Sequence, residues 1–433
     1  MTIRQNVPPA GGANDIARVH SERATSGIHG PSLPVGGSSP LTRLTILLFA
    51  VASGLAVANA YFAHPLLDVM ADDLRLSRTV AGMIVGATQL GYGLGLILLV
   101  PLGDLVDRRK LIIVQSLLTA VALVSVSVST SATMLLASMA AVGFLAVVTQ
   151  ALVAYAASLA HPSKRGHIVG MVTSGIVLGI LLARSVAGTL TDLSGWRTVY
   201  IVSALLTLLI ALLLWRALPR QQRPQSRLSY IGLIRSLATL LGEEPILRIR
   251  GMIAMLIFAD ITTLLAPLVL PLTAPPYSMS HTEVGLFGLA GAAGALGAVR
   301  AGRWADRGHG QRTTGIALAL MLFAWLPISM LDRSVLWLIL GVLAIDFGLQ
   351  ATHVTNQGMI YRVRPEAQNR LTAAYMVFYS IGSAIGSSTS TIIYAHAGWT
   401  GVCISGAGIS LVTILFWALT LRATPREATR PAL

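Results

Sequence analysis

Long apolar runs separated by short polar gaps organise this chain. They lie at approximately 44–67, 79–101, 111–128, 133–158, 166–189 and 198–218, then, after a polar stretch, at 250–272, 283–301, 313–331, 335–357, 371–394 and 400–421. A helix that crosses a bilayer needs about 20 mostly apolar residues, and each run is close to that length. The runs are continuous and do not alternate, which excludes a closed β-barrel. The pattern predicts an all-α integral membrane protein of twelve transmembrane helices in two six-helix halves. The expected segments are a disordered cytoplasmic tail at 1–43, an N-terminal half at 44–218, a cytoplasmic linker at 219–248, a C-terminal half at 249–421 and a second cytoplasmic tail at 422–433.

Composition agrees with burial in lipid. The chain has 433 residues, 54% hydrophobic and only 11% charged, whereas a soluble domain carries roughly a quarter charged residues. The net charge of +14 would suggest nucleic acid in a soluble protein. Here the cations sit in the gaps between apolar runs, as the positive-inside rule requires, and no nucleic-acid partner is expected. With both termini placed in the cytoplasm, 26 of the 31 Lys and Arg fall in cytoplasmic segments, four in outer loops, and Arg184 within a span. Adding or losing one helix would invert every later loop, so this split tests the helix count and the direction together. It points to a multi-pass membrane protein with both termini in the cytoplasm. Residues 1–43 are rich in Gly, Pro and Ser and lack the apolar core of a cleavable signal peptide. The single cysteine, Cys403, lies inside an apolar run and cannot form an internal disulfide. In the linker, Tyr230–Leu241 has apolar residues at helical spacing and is expected to lie along the membrane surface.

The halves carry matching marks about 200 residues apart. Gly103-Asp104-Leu105-Val106-Asp107-Arg108 follows the second run, and Gly302-Arg303-Trp304-Ala305-Asp306-Arg307 follows the eighth. Gly195-Trp196 precedes the sixth run and Gly398-Trp399 the twelfth; Pro162 and Arg165 precede the fifth, Pro365 and Arg370 the eleventh; Gln150 in the fourth matches Gln350 in the tenth. Four marks at corresponding places argue for a duplicated six-helix unit, the parallel repeat that puts a substrate site at the midplane between halves. On these motifs the chain resembles the major facilitator superfamily over roughly residues 44–421. Gly103, Asp107 and Arg108 are similar to that superfamily's loop motif between helices 2 and 3, although Arg109 and Lys110 follow without its second glycine. Gly170, Gly175, Gly179 and Gly188 in the fifth run, and Ala58 to Leu67 in the first, resemble the bacterial drug–proton antiporter branch; Ala183-Arg184 stands where that branch has a Gly-Pro step. The resemblance implies a cytoplasmic gate built on Gly103, Asp107, Arg108, Gly302, Asp306 and Arg307, and a cavity lined by helices 1, 4, 7 and 10.

Charges at bilayer depth cost about 2.5–3.5 kcal/mol or more on insertion scales and are functional suspects. Arg184, Asp260 and Asp346 qualify. In the tenth run Asp346, Gln350, His353 and Gln357 recur at i, i+4, i+7 and i+11, within about 60° of arc at 100° per residue. This polar stripe must face protein or water, and Asn356 lies to one side of it. Asn59, Tyr61, Gln89, Gln150, Arg184 and Tyr155 are further lining candidates, and His64 is expected near the outer mouth. A carboxylic acid held within a span can take up and release a proton, so Asp260, Asp346 and His353 are the candidates for proton coupling. The residues alone leave open which acid carries the proton, and whether Arg184 snorkels outward or pairs with a carboxylate or an anionic solute.

The chain has no Gly-rich phosphate loop, HExxH, paired Cys/His or Gly-x-Ser-x-Gly, so neither an enzyme nor a cofactor is expected. The expected function is proton-coupled efflux of a small organic compound by alternating access, carried out by a monomer whose partners are the solute, protons and the bilayer. Uptake or facilitated diffusion of a metabolite is the alternative, and an intramembrane enzyme or a non-transporting receptor is remote.

Overall fold

The computed structural model describes residues 42–161, 165–219, 229–289, 304–364 and 368–421. The N-terminal portion holds α1 (Arg43–Tyr61), a short 3-10 turn at His64–Leu66, α2 (Leu67–Asp73), α3 (Arg78–Leu98), α4 (Arg108–Ser127), α5 (Ala132–Ala146), α6 (Val148–Leu159), α7 (Arg165–Ser194) and α8 (Trp196–Ala217). The C-terminal portion holds α9 (Tyr230–Glu243), α10 (Pro245–Leu265), α11 (Val269–Thr273), α12 (Gly310–Ser329), α13 (Val335–Tyr361) and α14 (Gln368–Thr420). Among the described residues, ten helices are long and apolar enough to cross a membrane. One of them, α14, is 53 residues long and breaks at Gly398. At 1.5 Å per residue it would measure about 80 Å unbroken, more than twice a hydrocarbon core of about 30 Å, so it contains two crossings. Of the expected eighth run only 283–289 is described, and it is helical; the rest of that run, with Gly302, Pro162 and Pro365, lies outside the described residues.

Local chemistry sets the helix ends. The backbone N–H of Thr45 donates to the Thr42 hydroxyl, that of Val80 to Ser77 and that of Met134 to Ser131, each three residues on. These are side-chain N-caps that satisfy otherwise orphaned donors. The repeated Gly-Trp marks acquire a reason here. Gly195 and Gly398 both have positive φ, 82° and 61°, a region that glycine enters without steric cost. Each lets the chain reverse tightly into the next helix. Pro65 lies in the short turn that interrupts the first span between α1 and α2.

The two halves repeat their packing as well as their motifs. In the first, α7 lies so close to α1 that a Cβ built on Gly175 would stand 2.3 Å from the Ala50 carbonyl oxygen, and one on Gly179 2.3 Å from that of Gly54. In the second, a Cβ built on Gly382 or Gly386 of α14 would stand 1.9 Å from the Met255 or 2.2 Å from the Ala259 carbonyl oxygen of α10. Both pairs are spaced by four residues, one helical turn, on both partners. Small residues at that spacing let helix backbones approach where lipid offers no hydrophobic drive to associate. Large side chains such as Leu178, Leu205, Leu326 and Leu411 point outward and exposed, as a lipid-facing surface requires.

Two seams join the halves, and both tighten toward one end. Along α3 and α14, a Cβ would meet Thr391 Oγ1 at 1.7 Å from Gly82, Ser388 Oγ at 2.3 Å from Gly86, and Ser380 Cβ at 3.1 Å from Gly93. Along α7 and the helix at 281–289 the corresponding approaches are 2.1 Å for Gly188 to the His281 oxygen, 2.5 Å for Gly285 to the Arg184 oxygen and 3.0 Å for Gly288 to Arg184 Cβ. The closest approaches therefore lie at the His281 end; toward Gly103, Leu96, Leu99 and Val100 still pack against Met376, and the Tyr230 hydroxyl of α9 donates to the Leu98 carbonyl at 2.8 Å.

Two expectations for the linker need correction. Helix α10 begins at Pro245, so the last residues of the expected linker, Arg248 among them, belong to it, and Arg250 just beyond is fully buried. The α9 helix sets Leu237 and Leu240 against Leu247, Ala254, Ile360 and Leu371. Its apolar face packs on the C-terminal half, where a surface-lying helix would have faced lipid.

Candidate transport site

The halves meet at the centre through aromatic side chains. The hydroxyls of Tyr61 on α1 and Tyr379 on α14 share a hydrogen bond across the interface. The Tyr379 ring packs edge-on against Phe258 at 4.1 Å and Tyr92 at 6.2 Å between centroids. Gln150 Nε2 donates to the Tyr92 hydroxyl at 3.4 Å. His64 stacks on Tyr61 at 5.5 Å and is buried among helices, not placed at an open mouth. Phe258, Tyr92, Tyr375 and Tyr379 were not singled out from sequence. The tyrosine pair at i, i+4 in an apolar run was a visible sign, since two polar tips on one helical face want partners.

The stripe of α13 faces this cluster. Asp346 is buried, while Gln350, His353 and Gln357 keep part of their surface open. His353 packs edge-on against Phe258 at 5.3 Å, and its Nδ1 is 3.0 Å from the Tyr375 hydroxyl. Asn356 points elsewhere, into the C-terminal half. Its Oδ1 accepts from Arg250 at 3.2 Å, its Nδ2 donates to the Arg250 carbonyl at 3.4 Å, and Arg250 also donates to Thr314 at 3.2 Å.

The structure separates the two acids that sequence left equivalent. Asp260 turns away from the interface into its own half, where Trp325 Nε1 donates to Oδ1 at 3.0 Å and Ser410 Oγ donates to Oδ2 at 2.5 Å. Those partners pin α10 to α12 and to the last crossing of α14. The N-terminal half uses the same device between its first and sixth spans: Ser203 Oγ donates to Asn59 Oδ1 at 2.5 Å. Asn59 is thus a tie within one half and not a lining residue. Tyr155 is likewise buried, against Phe49, and donates to the Pro219 carbonyl at 2.6 Å.

Asp346 and Arg184 approach from opposite halves. Arg184 is half-buried, does not snorkel, and lies within electrostatic reach of Asp346, Tyr61 and Tyr379. No carboxylate stands within ion-pair distance of it among the described residues, and its buried Nε has no hydrogen-bond partner there. A cavity of about 10 Å³ beside it is lined by His64, Leu265, Val284 and Phe287. A much larger cavity of about 570 Å³ lies between α1, α7 and α8; it is lined by Leu47, Val51, Leu178, Leu182 and Leu206 among other apolar residues and holds no ionisable group. Among the residues that line it, Ser174 and Ser203 bring hydroxyls to an otherwise apolar groove.

At the tight end a cluster binds the halves that sequence did not foresee. His281 Nε2 is 3.1 Å from Asp68 Oδ2, and its Nδ1 is 3.0 Å from Asp192 Oδ1. Thr282 adds its backbone N–H and its hydroxyl to Asp192 Oδ2 at 2.7 and 2.6 Å. A neutral imidazole carries one N–H and a carboxylate only accepts, so engaging both carboxylates requires the imidazolium. The hydrogen bond to Asp68 raises the His281 pKa above its ordinary value, with Asp192 adding to it against partial burial. The contacts join residues 89 and 213 positions apart, which no local pattern reveals.

At the other end Asp107 caps its own helix, accepting from the Arg109 N–H at 2.9 Å. Arg108 Nε donates to the Gly103 carbonyl at 3.0 Å and its Nη1 to that of Ala154 at 3.4 Å, and Arg109 donates to the Trp215 carbonyl. The motif thus ties the loop to α6 and α8 of its own half. Arg307 is exposed, and the Asp306 side chain lies outside the described residues.

A helical bundle of two like halves, with ionisable groups where they meet, is the architecture of a secondary transporter. The sequence profile described as Major Facilitator Superfamily matches residues 49–259 and 251–433. The chain belongs to that superfamily: it is a multi-pass membrane transporter and not an enzyme. It is 48% identical over 377 residues to the uncharacterized transporter YgaY of Escherichia coli O157:H7, covering 87% of this chain and 95% of that protein. It is 26% identical over 394 residues to the inner membrane transport protein YnfM of Escherichia coli K12, covering 88% and 90% respectively. In fold it is similar to a bacterial homolog of the human lysosomal transporter Spinster, solved in an inward-facing and occupied conformation, with a TM-score of 0.74 at 13% identity over 92% of this chain and 100% of that one.

Proposed function

We propose that this protein is a proton-coupled secondary transporter of a small organic compound, working by alternating access as a monomer in a bacterial inner membrane. In this reading twelve helices cross the bilayer, both termini are cytoplasmic, and the His281 end is the outer one. The observation that carries it is the placement of Asp346. It is the acid that faces the opposite half, whereas Asp260 is spent on Trp325 and Ser410 inside its own.

Ionised Asp346 attracts Arg184 across the interface. Unit charges brought to 4 Å attract by about 4 kcal/mol at an effective dielectric constant of about 20, which biases an equilibrium by about a thousandfold. Protonation removes that attraction and frees the halves to rearrange about the Tyr61–Tyr379 contact. The resemblance to the drug–proton antiporter branch supports export. A second reading, entry of solute together with protons, is favoured by the unpaired Arg184.

Everted vesicles carrying a pH-sensitive dye test the coupling. Asp346→Asn should abolish solute-driven proton movement at unchanged abundance, and Asp260→Asn should retain it. Solute flux that ignores the proton gradient and both substitutions would refute the proposal.

A further inference from the structure

We infer that the solute is an aromatic organic anion whose acidic headgroup pairs with Arg184, and that it moves in the same direction as the proton. This rests on the reading of Asp346 as the coupling acid. Among the described residues, several elements meet at Arg184. Tyr61 and His64 face it from the first span, Tyr379 from α14, and Asp346 from α13. The helix at 281–289 presents Gly285 and Gly288, where a side chain would collide with the Arg184 backbone or Cβ at 2.5 to 3.0 Å. That helix is therefore shaped around the arginine yet gives it no hydrogen-bond acceptor. A guanidinium at this depth is costly unless paired, and its planar fork fits a carboxylate or sulfonate in bidentate fashion.

The rings of Tyr61, Tyr92 and Phe258 gather on Tyr379, which lies within electrostatic reach of Arg184, and they offer faces and edges to an aromatic body. The cavity beside Arg184, lined by His64, Leu265, Val284 and Phe287, holds no more than about one water, at about 10 Å³. The solute takes its place as Tyr61 and Tyr379 part. Asp346 faces Arg184 and Tyr61, so ionised Asp346 and the solute anion compete for one cation. The anion binds when Asp346 is protonated. Proton and anion then cross together, and an inward proton gradient drives entry, the reverse of the export that the resemblance suggests.

The test uses purified full-length protein and benzenesulfonate, which stays ionised and does not carry protons through lipid by itself, with phenyltrimethylammonium as its cationic counterpart. Benzenesulfonate should raise the thermal midpoint, phenyltrimethylammonium should not, and Arg184→Gln should remove the effect while Arg184→Lys restores part of it. In proteoliposomes without an initial pH gradient, an inward benzenesulfonate gradient should acidify the lumen. The rate should fall at least tenfold in Arg184→Gln and in Asp346→Asn, to the level of protein-free vesicles. Stabilisation by the cation through Asp346, luminal alkalinisation, or no Arg184-dependent response to the anion up to tens of millimolar would each overturn the inference. Cation-driven proton movement that needs Asp346 would do so while leaving proton coupling intact, whereas a response insensitive to Asp346→Asn would count against the coupling reading itself.

Discussion

Replacing His281 by glutamine removes the imidazolium that joins Asp68 and Asp192 and leaves the two carboxylates facing an amide. The three side chains are 19%, 17% and 28% exposed, so each charge-assisted hydrogen bond is discounted for solvent to about 1 kcal/mol. Two such bonds bias the halves toward contact at this end by about 2 kcal/mol, roughly thirtyfold in population. The pH dependence follows from the direction of the shift. With the halves joined, His281 titrates above its ordinary value of about 6.5; once they part, it returns toward that value. The stabilisation is therefore complete below about pH 6.5 and disappears as pH rises through the raised value. Spin labels on Ser131→Cys and Arg333→Cys, exposed positions at this end of the two halves, report the separation by pulsed electron resonance in a Cys403→Ala background. The short-distance population should dominate at pH 5.5, shrink at pH 8.5, and be small at both in His281→Gln. A distance distribution unmoved by pH and by the substitution would refute the latch and the charge-state argument behind it.

Gly175→Val should lower stability by about 1–3 kcal/mol or prevent accumulation, because its Cβ would stand 2.3 Å from the Ala50 carbonyl oxygen. Gly170→Ala on the same helix, with nothing within 4 Å, should be neutral or slightly stabilising in the same thermal melts. Arg250→Met strands the buried Thr314 and Asn356 groups it serves, at about 1–3 kcal/mol for each group left unsatisfied. A lower melting point in detergent checks this, and an unchanged one would show that the polar tie contributes nothing to the C-terminal half.

The sequence was most informative where the solvent, here the bilayer, dictates the outcome residue by residue. Each backbone group in hydrocarbon must be satisfied within its own helix, so an apolar run long enough to cross is sufficient to specify a helix. The Gly-Trp marks told that two turns were alike, and the positive φ of Gly195 and Gly398 explains why those turns keep a glycine. The stripe from Asp346 to Gln357 was readable for the same reason, since only one face of a spanning helix can be polar.

What helical periodicity cannot tell is which neighbour that face meets. Asp260 and Asp346 are both single acids in apolar runs, and sequence made them equivalent. The tertiary structure gives one of them Trp325 and Ser410 and leaves the other opposite Arg184. Asn59 was assigned to the cavity by the logic of a single helix, and packing places it inside a half. The cluster of His281 with Asp68 and Asp192 exists only because the ends of three helices converge. By itself the sequence determined that this chain is a duplicated bundle of membrane-spanning helices, because burial in lipid acts on each segment alone. Which charges are spent on architecture and which remain free to act was decided by the contacts between segments, because a charge in a low-dielectric interior takes its role from whatever lies within a few ångströms of it.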